Sequence, residues 1–217
     1  MLILERDSKS IVSESYRTLR TNIQYSSFDK EIRSILITSA QSGEGKSIVS
    51  GNLALSFAQN EKSVILVDCD LRKPSVHKNF KLSNLVGLSD VLVGKEELES
   101  AVQKYSDGLS ILTSGKETPN PAEMLSSKSM SQLLEVLGSK YDIVILDSSP
   151  ITAVTDAQIL STKVDGTILV VRASKTKSSD IIEAKELLNN VGANIIGAIL
   201  NSVKYTKRNS YYYGSKE

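Results

Sequence analysis

The stretch from residue 39 to residue 47, Ser-Ala-Gln-Ser-Gly-Glu-Gly-Lys-Ser, constrains the fold more than any other part of the sequence. An apolar run precedes it at 35–37, and residues 48–58 after it have the composition of a helix. A glycine-rich loop between a strand and a helix is the context of a phosphate-binding loop, or P-loop. Ala40 replaces the usual first glycine, which weakens the bare motif. A glycine-rich turn that happens to precede Lys-Ser is the alternative, and the flanking elements argue against it.

The residue types in this loop predict its contacts with a nucleotide. Gly43 and Gly45 let the backbone turn so that its N–H groups point at phosphate oxygens. Lys46 can reach the β- and γ-phosphates, and the Ser47 hydroxyl can ligate Mg²⁺. The expected nucleotide contacts are Ser42, Gly43, Glu44, Gly45, Lys46, Ser47 and Ile48.

Composition limits the class of protein. The chain has 217 residues, of which 40% are hydrophobic and 24% charged, as expected for one α/β domain with a buried core. A net charge of +1 argues against a nucleic-acid partner. The single cysteine, Cys69, fits a reducing cytosol. Neither a signal peptide nor an apolar run of roughly 18 residues is found, so we expect any membrane role to come through a partner.

From residue 32 onward, short apolar runs alternate with amphipathic stretches. Strands are predicted at 35–38, 64–67, 109–113, 143–146, 167–171 and 195–200, and helices at 47–59, 124–139 and 178–191. Nearly continuous runs of Ile, Val and Leu are typical of strands buried on both faces. The pattern predicts an α/β fold with a mostly parallel sheet and helices on both faces. We expect one domain over 1–203, followed by a mobile tail at 204–217.

Before the sheet, residues 8–26 are predicted to form a helix. Its apolar stripe consists of Tyr16, Leu19 and Ile23, at helical spacing. Its charged residues form an E-x-x-R-x-x-R array of Glu14, Arg17 and Arg20. Glu14 and Arg17 are close enough for an i,i+3 ion pair. Spacing alone favours a solvated charged face for this array.

Carboxylates follow two of the predicted strands. Asp68 and Asp70 come after the run at 64–67, and Asp147 comes after the run at 143–146. The carboxyl ends of parallel strands form the edge at which α/β sheets bind ligands. One aspartate of the first pair could hold Mg²⁺ while the other accepts a proton, although acidic residues also simply begin loops. Asp147 occupies the Walker B position, where a carboxylate orients the Mg²⁺ shell.

A P-loop with acidic strand ends, and without an evident His, Cys or Ser base system, indicates phosphoryl transfer but leaves the acceptor open. Water as acceptor would make an ATPase or switch, and a protein hydroxyl would make a kinase. A polar, basic tail carries four of the eight tyrosines, Tyr205, Tyr211, Tyr212 and Tyr213. Tyrosines on a mobile tail are suitable acceptors, and the alternative is a tail that docks its rings on a neighbouring surface.

Taken in order, these motifs resemble those of the bacterial tyrosine kinases of capsule and exopolysaccharide biosynthesis, over nearly the whole chain. The helix array is similar to the family's E-x-x-R-x-x-R oligomerisation motif. Residues 68–72 match its Walker A′ motif, which continues as Arg/Lys-x-Pro-x-x-His-x-x-Phe over 72–80. The Pro-Asn-Pro segment at 119–125, the Walker B aspartate Asp147 and the tyrosine tail also match.

The resemblance implies roles for the site residues, with ATP and Mg²⁺ as the bound species. Lys46 and the loop amides would hold the ATP phosphates. Ser47 and Asp70 would hold Mg²⁺, with Asp147 supporting the metal shell. Asp68 would be the base or positioning group for the incoming tyrosine hydroxyl.

The resemblance also implies partners. Subunits would form a ring through Glu14, Arg17 and Arg20, and each tail would be phosphorylated by its neighbour. A membrane-anchored chain-length regulator would activate the kinase, and a cognate tyrosine phosphatase would reverse its action. The chain would then be cytoplasmic, at the inner face of the cell membrane. Its start at Met1 fits a separate kinase chain, with a piece of a fused protein as the alternative.

A MinD/ParA-like ATPase switch without kinase activity is the main alternative function. Such proteins share the fold and usually carry K-G-G-x-G-K-T, whereas Gln41 and Ser42 stand at the first two of these positions. The missing lysine and the tyrosine tail favour the kinase. Intact Lys46 and acidic sites disfavour a silent binding module. The adenine pocket stays open, with Arg172 and Asn201 as candidates.

Overall fold

The computed structural model describes residues 2–25 and 31–204. The predicted phosphate acceptors Tyr205, Tyr211, Tyr212 and Tyr213 therefore lie outside the described residues. Within them, the strands are β1 Ser34–Ser39, β2 Val64–Asp68, β3 Gln103–Ser106, β4 Leu109–Leu112, β5 Ile143–Asp147, β6 Gly166–Arg172 and β7 Ile195–Asn201. The helices are α1 Ile3–Arg6, α2 Ile11–Gln24, α3 Lys46–Ala58, α4 Val76–Phe80, α5 Leu88–Leu92, α6 Leu98–Ala101, α7 Pro121–Ser126, α8 Lys128–Lys140, α9 Asp156–Ser161 and α10 Ser178–Asn190.

The strands form one seven-stranded sheet in the order β3-β4-β2-β5-β1-β6-β7. All neighbouring strands are parallel except β3, which pairs antiparallel with β4. The predicted strands are all present, and the mostly parallel sheet is confirmed. Strand β3 was not predicted, because its half-exposed Gln-Lys-Tyr-Ser sequence has no apolar run. Strand β7 is only partly buried because it forms the other edge of the sheet.

Two apolar cores lie on opposite faces of the sheet, as predicted. The first packs the sheet against α1 to α4, and the second packs it against α5 to α10. Strands β2 and β5 are buried along their whole length, which explains their Ile, Val and Leu composition. Their register aligns Asp68 with Asp147, so the two strands end in adjacent aspartates.

Two predicted helices, at 124–139 and at 8–26, are wrong in their extent. The helix expected at 124–139 is divided into α7 and α8, because Ser127 adopts an extended backbone conformation between them. Its side chain accepts a hydrogen bond from the Met130 N–H at 3.1 Å and so caps the start of α8. Helices α1, α4, α5, α6 and α9 were not predicted, because four to six residues are too few to show a helical period.

Helix α2 begins at Ile11 rather than at residue 8, because the Ser10 side chain accepts the Ser13 N–H and caps it there. Its predicted stripe of Tyr16, Leu19 and Ile23 packs into the core beside α3. Among the described residues, none of the helices is both long and apolar enough to span a membrane.

Candidate nucleotide-binding and phosphoryl-transfer site

The loop between β1 and α3 has the backbone conformation that a P-loop requires. Gly43 and Gly45 adopt φ angles of 78° and 97°, in the left-handed region that favours glycine. Gly45 is the N-cap of α3, so the helix begins at the loop and directs its free N–H groups there. Ala40 does not adopt a positive φ, and a side chain is therefore tolerated where the usual motif has glycine.

The side chain of Glu44 stabilises the P-loop from within the protein. Its side chain is buried, accepts the Gln41 N–H at 3.1 Å and is hydrogen-bonded to the Thr176 hydroxyl. Its carboxylate therefore does not line the cleft, and only its backbone N–H remains available to a phosphate. This side-chain position was not foreseen from the sequence.

The adenine candidates Arg172 and Asn201, at the ends of β6 and β7, contact the same loop. Arg172 donates to the Gly43 carbonyl at 2.9 Å, and the Asn201 amide donates to the Glu44 carbonyl at 2.8 Å. Both residues thus lie beside the P-loop. They hold its backbone in place from the side opposite the acidic strand ends.

A cleft of about 450 Å³ opens at the carboxyl edge of the sheet. Of the predicted residues, it is lined by Ser42, Gly43, Gly45, Lys46, Ser47, Ile48 and Asp70. It is also lined by residues without a predicted role, namely Arg72, Lys73, Ser75, Asn79, Ser149, Pro150, Ala153 and Val154. Most of these follow Asp70 or Asp147 closely in sequence, which is the signal that could have indicated them.

Asp68 and Asp147 lie beneath the cleft rather than on its wall. Both are 0% exposed, whereas Asp70 is 8% exposed and reaches the cleft. The Asp68 carboxylate accepts the N–H groups of Asp70, Ser75 and Val76 at 3.2, 3.1 and 3.0 Å. Asp68 therefore fixes the chain that carries Asp70.

Among the described residues, neither carboxylate oxygen of Asp147 has a hydrogen-bond partner of good geometry. Burial raises the pKa of Asp147 to about 6, and the Ser47 hydroxyl and the Lys46 ammonium partly oppose this rise. Burial, together with the charge of Asp147, also raises the pKa of Asp68 well above its ordinary value. Crowded, buried carboxylates are costly without a cation.

The oxygen donors of this site suit a Mg²⁺ ion that is also bound by phosphate oxygens of the nucleotide. In the described part of the chain, no group of three His, Cys, Asp or Glu side chains is arranged to hold a metal alone. The Ser47 hydroxyl, which accepts a hydrogen bond from Ser75 at 2.7 Å, and Asp70 both reach the cleft. Mg²⁺ commonly takes one or two protein ligands, substrate phosphates and water. The unpartnered oxygens of Asp147 are suited to such a hydrated ion.

The E-x-x-R-x-x-R array lies on α2. The predicted pair is confirmed, because Arg17 Nη1 lies 2.9 Å from Glu14 Oε2. Arg17 also donates to the Ser8 carbonyl at 2.7 Å, and Arg20 donates to the Ser56 carbonyl on α3 at 2.8 Å. Both arginines thus have partners within their own chain, and one of them fastens α2 to α3.

Comparison with known proteins separates the possible functions. The model of the ParA family, described as NUBPL iron-transfer P-loop NTPase, matches residues 31–212. Tyrosine-protein kinase YwqD of Bacillus subtilis is 48% identical over 218 residues, covering 100% of this chain and 92% of the relative. The chain belongs to the bacterial tyrosine-protein kinases. Putative tyrosine-protein kinase CapB of Staphylococcus aureus is 38% identical over 206 residues, which are 94% of this chain and 90% of CapB.

The fold is similar to that of solved structures from the same family. The kinase domain of Escherichia coli tyrosine kinase ETK superposes with a TM-score of 0.88 at 34% identity, covering 94% of this chain and 83% of that one. MinD of Pyrococcus horikoshii has a TM-score of 0.68 at 25% identity, covering 81% and 72%. The bacterial tyrosine-protein kinases thus share the ParA-type P-loop NTPase fold with MinD, and this fold implies nucleotide binding.

Proposed function

We propose that this chain transfers the γ-phosphoryl group of ATP to tyrosine hydroxyls with Mg²⁺, and that its own tail is an acceptor. The observation that carries the proposal is a single cleft in which Lys46, Ser47 and Asp70 meet above the unpartnered carboxylate of Asp147. The names of the relatives support tyrosine as the acceptor. Tyr205, Tyr211, Tyr212 and Tyr213 are the proposed acceptors in the tail.

Different residues of the cleft are proposed to bind the phosphates and to bind Mg²⁺. Lys46 and the backbone N–H groups at the start of α3 bind the phosphates and offset their negative charge. Ser47 and Asp70 are the proposed Mg²⁺ ligands, and Asp147 accepts hydrogen bonds from the hydrated ion. When bound, Mg²⁺ would offset the negative charge of the phosphates during transfer.

Asp68 is proposed as the base or positioning group for the tyrosine hydroxyl. Its raised pKa is compatible with accepting a proton, and the negative charge of Asp147 contributes to that rise. Its burial and its bonds to Ser75 and Val76 mean that an acceptor reaches it only when this segment shifts. Without that shift, Asp68 acts by holding the chain that bears Asp70.

We propose that phosphorylation occurs between subunits of a ring assembled through Glu14, Arg17 and Arg20. The Glu14–Arg17 pair is partly exposed on α2, with side chains 45% and 32% exposed, so it is accessible to a neighbouring subunit. The tail follows β7, whose last residue Asn201 contacts the P-loop. Tyr211 lies ten residues beyond Asn201, and ten fully extended residues would span at most roughly 35 Å, a reach that is compatible with an acceptor offered to another subunit.

A mixing experiment tests the proposal. One variant carries Lys46→Met and all tail tyrosines, and the other is active but carries Phe at all four tail positions. Only transfer between subunits can phosphorylate the first variant, and we expect its mass to increase. Ala at Glu14, Arg17 and Arg20 in both variants should remove the increase. Wild-type chain that gains phosphate while the mixture gains none would contradict transfer between subunits.

The proposed partners are a membrane-anchored chain-length regulator as activator and a cognate tyrosine phosphatase, with the chain at the inner face of the cell membrane. A role in capsule or exopolysaccharide synthesis is supported by a relative at 36% identity, the putative tyrosine-protein kinase in the cps region of Klebsiella pneumoniae. This chain corresponds to 29% of that relative. Stimulation by the cytoplasmic segment of the regulator is the direct test of this partnership.

A further inference from the structure

The hydroxyl of Ser149 lies between two carboxylates at the wall of the cleft. Ser149 follows β5 by two residues and is 1% exposed. Its Oγ atom is 2.9 Å from Asp70 Oδ1 and 3.3 Å from Asp156 Oδ2. Asp156 is the first residue of α9 and is 0% exposed. A serine hydroxyl has one proton, so it donates to one of these carboxylates at a time.

The partners of the two carboxylates decide which one receives that proton. Asp156 already accepts two hydrogen bonds from Arg72, from Nε at 2.9 Å and from Nη2 at 3.1 Å. This two-pronged contact is among the strong forms of ion pair. Asp70 Oδ1 has one other donor, the Lys73 N–H at 3.0 Å. The shorter distance and the smaller number of charged donors both favour donation from Ser149 to Asp70.

This arrangement engages one oxygen of Asp70, a residue that lines the cleft, and leaves the other oxygen available. Oδ1 is held by Ser149 and by the Lys73 N–H, whereas among the described residues Oδ2 accepts no hydrogen bond. Two donors on one oxygen restrict rotation of the carboxylate about its Cβ–Cγ bond. Removing a group that orients a metal ligand in this way commonly lowers metal affinity by about tenfold to a hundredfold.

We propose that Ser149 is a positioning residue for Mg²⁺ binding, which acts by orienting Asp70 and is itself held by the Arg72–Asp156 pair. The inference rests on the proposed role of Asp70 as a Mg²⁺ ligand. Arg72 belongs to the segment that follows Asp70, and Asp156 begins α9, so their ion pair joins that segment to the chain that follows Ser149. The consequence is a metal ligand that is oriented before the nucleotide arrives.

The test measures how strongly Mg²⁺ promotes ADP binding, by calorimetric titration of ADP with excess Mg²⁺ and with EDTA. The ratio of the two affinities reports the metal site separately from activity. Ser149→Ala should reduce this ratio by about tenfold and leave the affinity in EDTA unchanged. Ser149→Thr, which keeps the hydroxyl, should restore most of the ratio.

Ser148→Ala is the matched control. Ser148 is adjacent and equally buried, but its hydroxyl donates to the Ile37 carbonyl at 3.0 Å and not to a carboxylate. The control should keep the wild-type ratio even if its thermal stability falls. A reduced ratio in Ser148→Ala as large as that in Ser149→Ala would assign the effect to general loosening and overturn the inference.

Asp70→Asn separates the inference from the role on which it rests. If Asp70→Asn keeps the wild-type ratio, the proposed metal role of Asp70 is wrong. If Asp70→Asn reduces the ratio and Ser149→Ala does not, the metal role stands and the positioning role of Ser149 is wrong. In the double variant, Ser149→Ala should add no further loss, because its effect acts through Asp70.

Discussion

The two sides of the cleft differ in how completely their polar groups are satisfied. On the P-loop side, Glu44, Arg172 and Asn201 hold the backbone of the loop through hydrogen bonds within the chain. On the acidic side, Asp147 is buried, and among the described residues its oxygens accept no hydrogen bond of good geometry, so the nearby Ser47 hydroxyl and Lys46 ammonium offset only part of its cost. The first side is therefore formed in the absence of nucleotide, whereas the second is in a costly state that a cation would relieve. The acidic side therefore carries a negative charge that the protein compensates only in part.

The largest expected effect comes from removing the partly compensated charge of Asp147. Asp147→Asn should reduce phosphoryl transfer by about a hundredfold or more, because the hydrated metal loses a charged partner. The same change should stabilise the nucleotide-free protein by about 1–3 kcal/mol, since a buried carboxylate with a pKa of about 6 is replaced by a neutral amide. Transfer is followed by intact mass and stability by urea unfolding. A variant that is both inactive and less stable would show that Asp147 is satisfied in the free protein.

The second effect is a dependence of stability on pH. The pKa of Asp147 is raised on folding from 3.8 to about 6, so the folded protein binds this proton more tightly. The free energy of unfolding should therefore fall by roughly 3 kcal/mol as pH rises from about 4 to about 6. Because other carboxylates titrate there, the measured quantity is the difference between wild type and Asp147→Asn. Parallel pH profiles for the two proteins would contradict the assignment.

A smaller effect is expected on the P-loop side. Gly45→Ala introduces a side chain at a φ of 97°, with its Cβ 2.1 Å from the Asn201 amide nitrogen. Strain of about 1–3 kcal/mol should weaken ADP binding by roughly tenfold to a hundredfold in both Mg²⁺ and EDTA.

Gly138→Ala in α8 is the control for this change, since no contact among the described residues lies within 4 Å of the added Cβ. It should leave ADP binding unchanged. Weakened binding of Gly45→Ala in Mg²⁺ alone would show that the two sides of the cleft are not independent.

The sequence predicted the parts of the site that are local in the chain. The spacing of Gly43, Gly45, Lys46 and Ser47 is itself the physical requirement of the loop, and Asp70 and Asp147 follow apolar strands that end at one edge. These residues could be found because the residues that act with them in the site are adjacent to them in the sequence.

Residues that act through distant partners could not be found in this way. Glu44 turns beneath the loop because Thr176, far along the chain, bonds to it. Asp156 meets Arg72 only after the sheet brings β2 and β5 together. The break between α7 and α8 did have a local signal, the capping serine Ser127, which the apolar pattern obscured. Long-range pairing, rather than weak propensity, accounts for what was missed about Glu44 and the Arg72–Asp156 pair.

The central claim is that this cleft transfers phosphate to tyrosine rather than to water. The most direct measurement is the intact mass of the full chain after incubation with ATP and Mg²⁺, alone and with the cytoplasmic segment of its proposed activator, beside Lys46→Met under the same conditions. We predict mass gains in steps of one phosphoryl group in the wild type, mapped to Tyr205 and the cluster Tyr211, Tyr212 and Tyr213, and none in the variant. Release of phosphate to water without any gain in mass would contradict the claim and indicate a MinD-like ATPase.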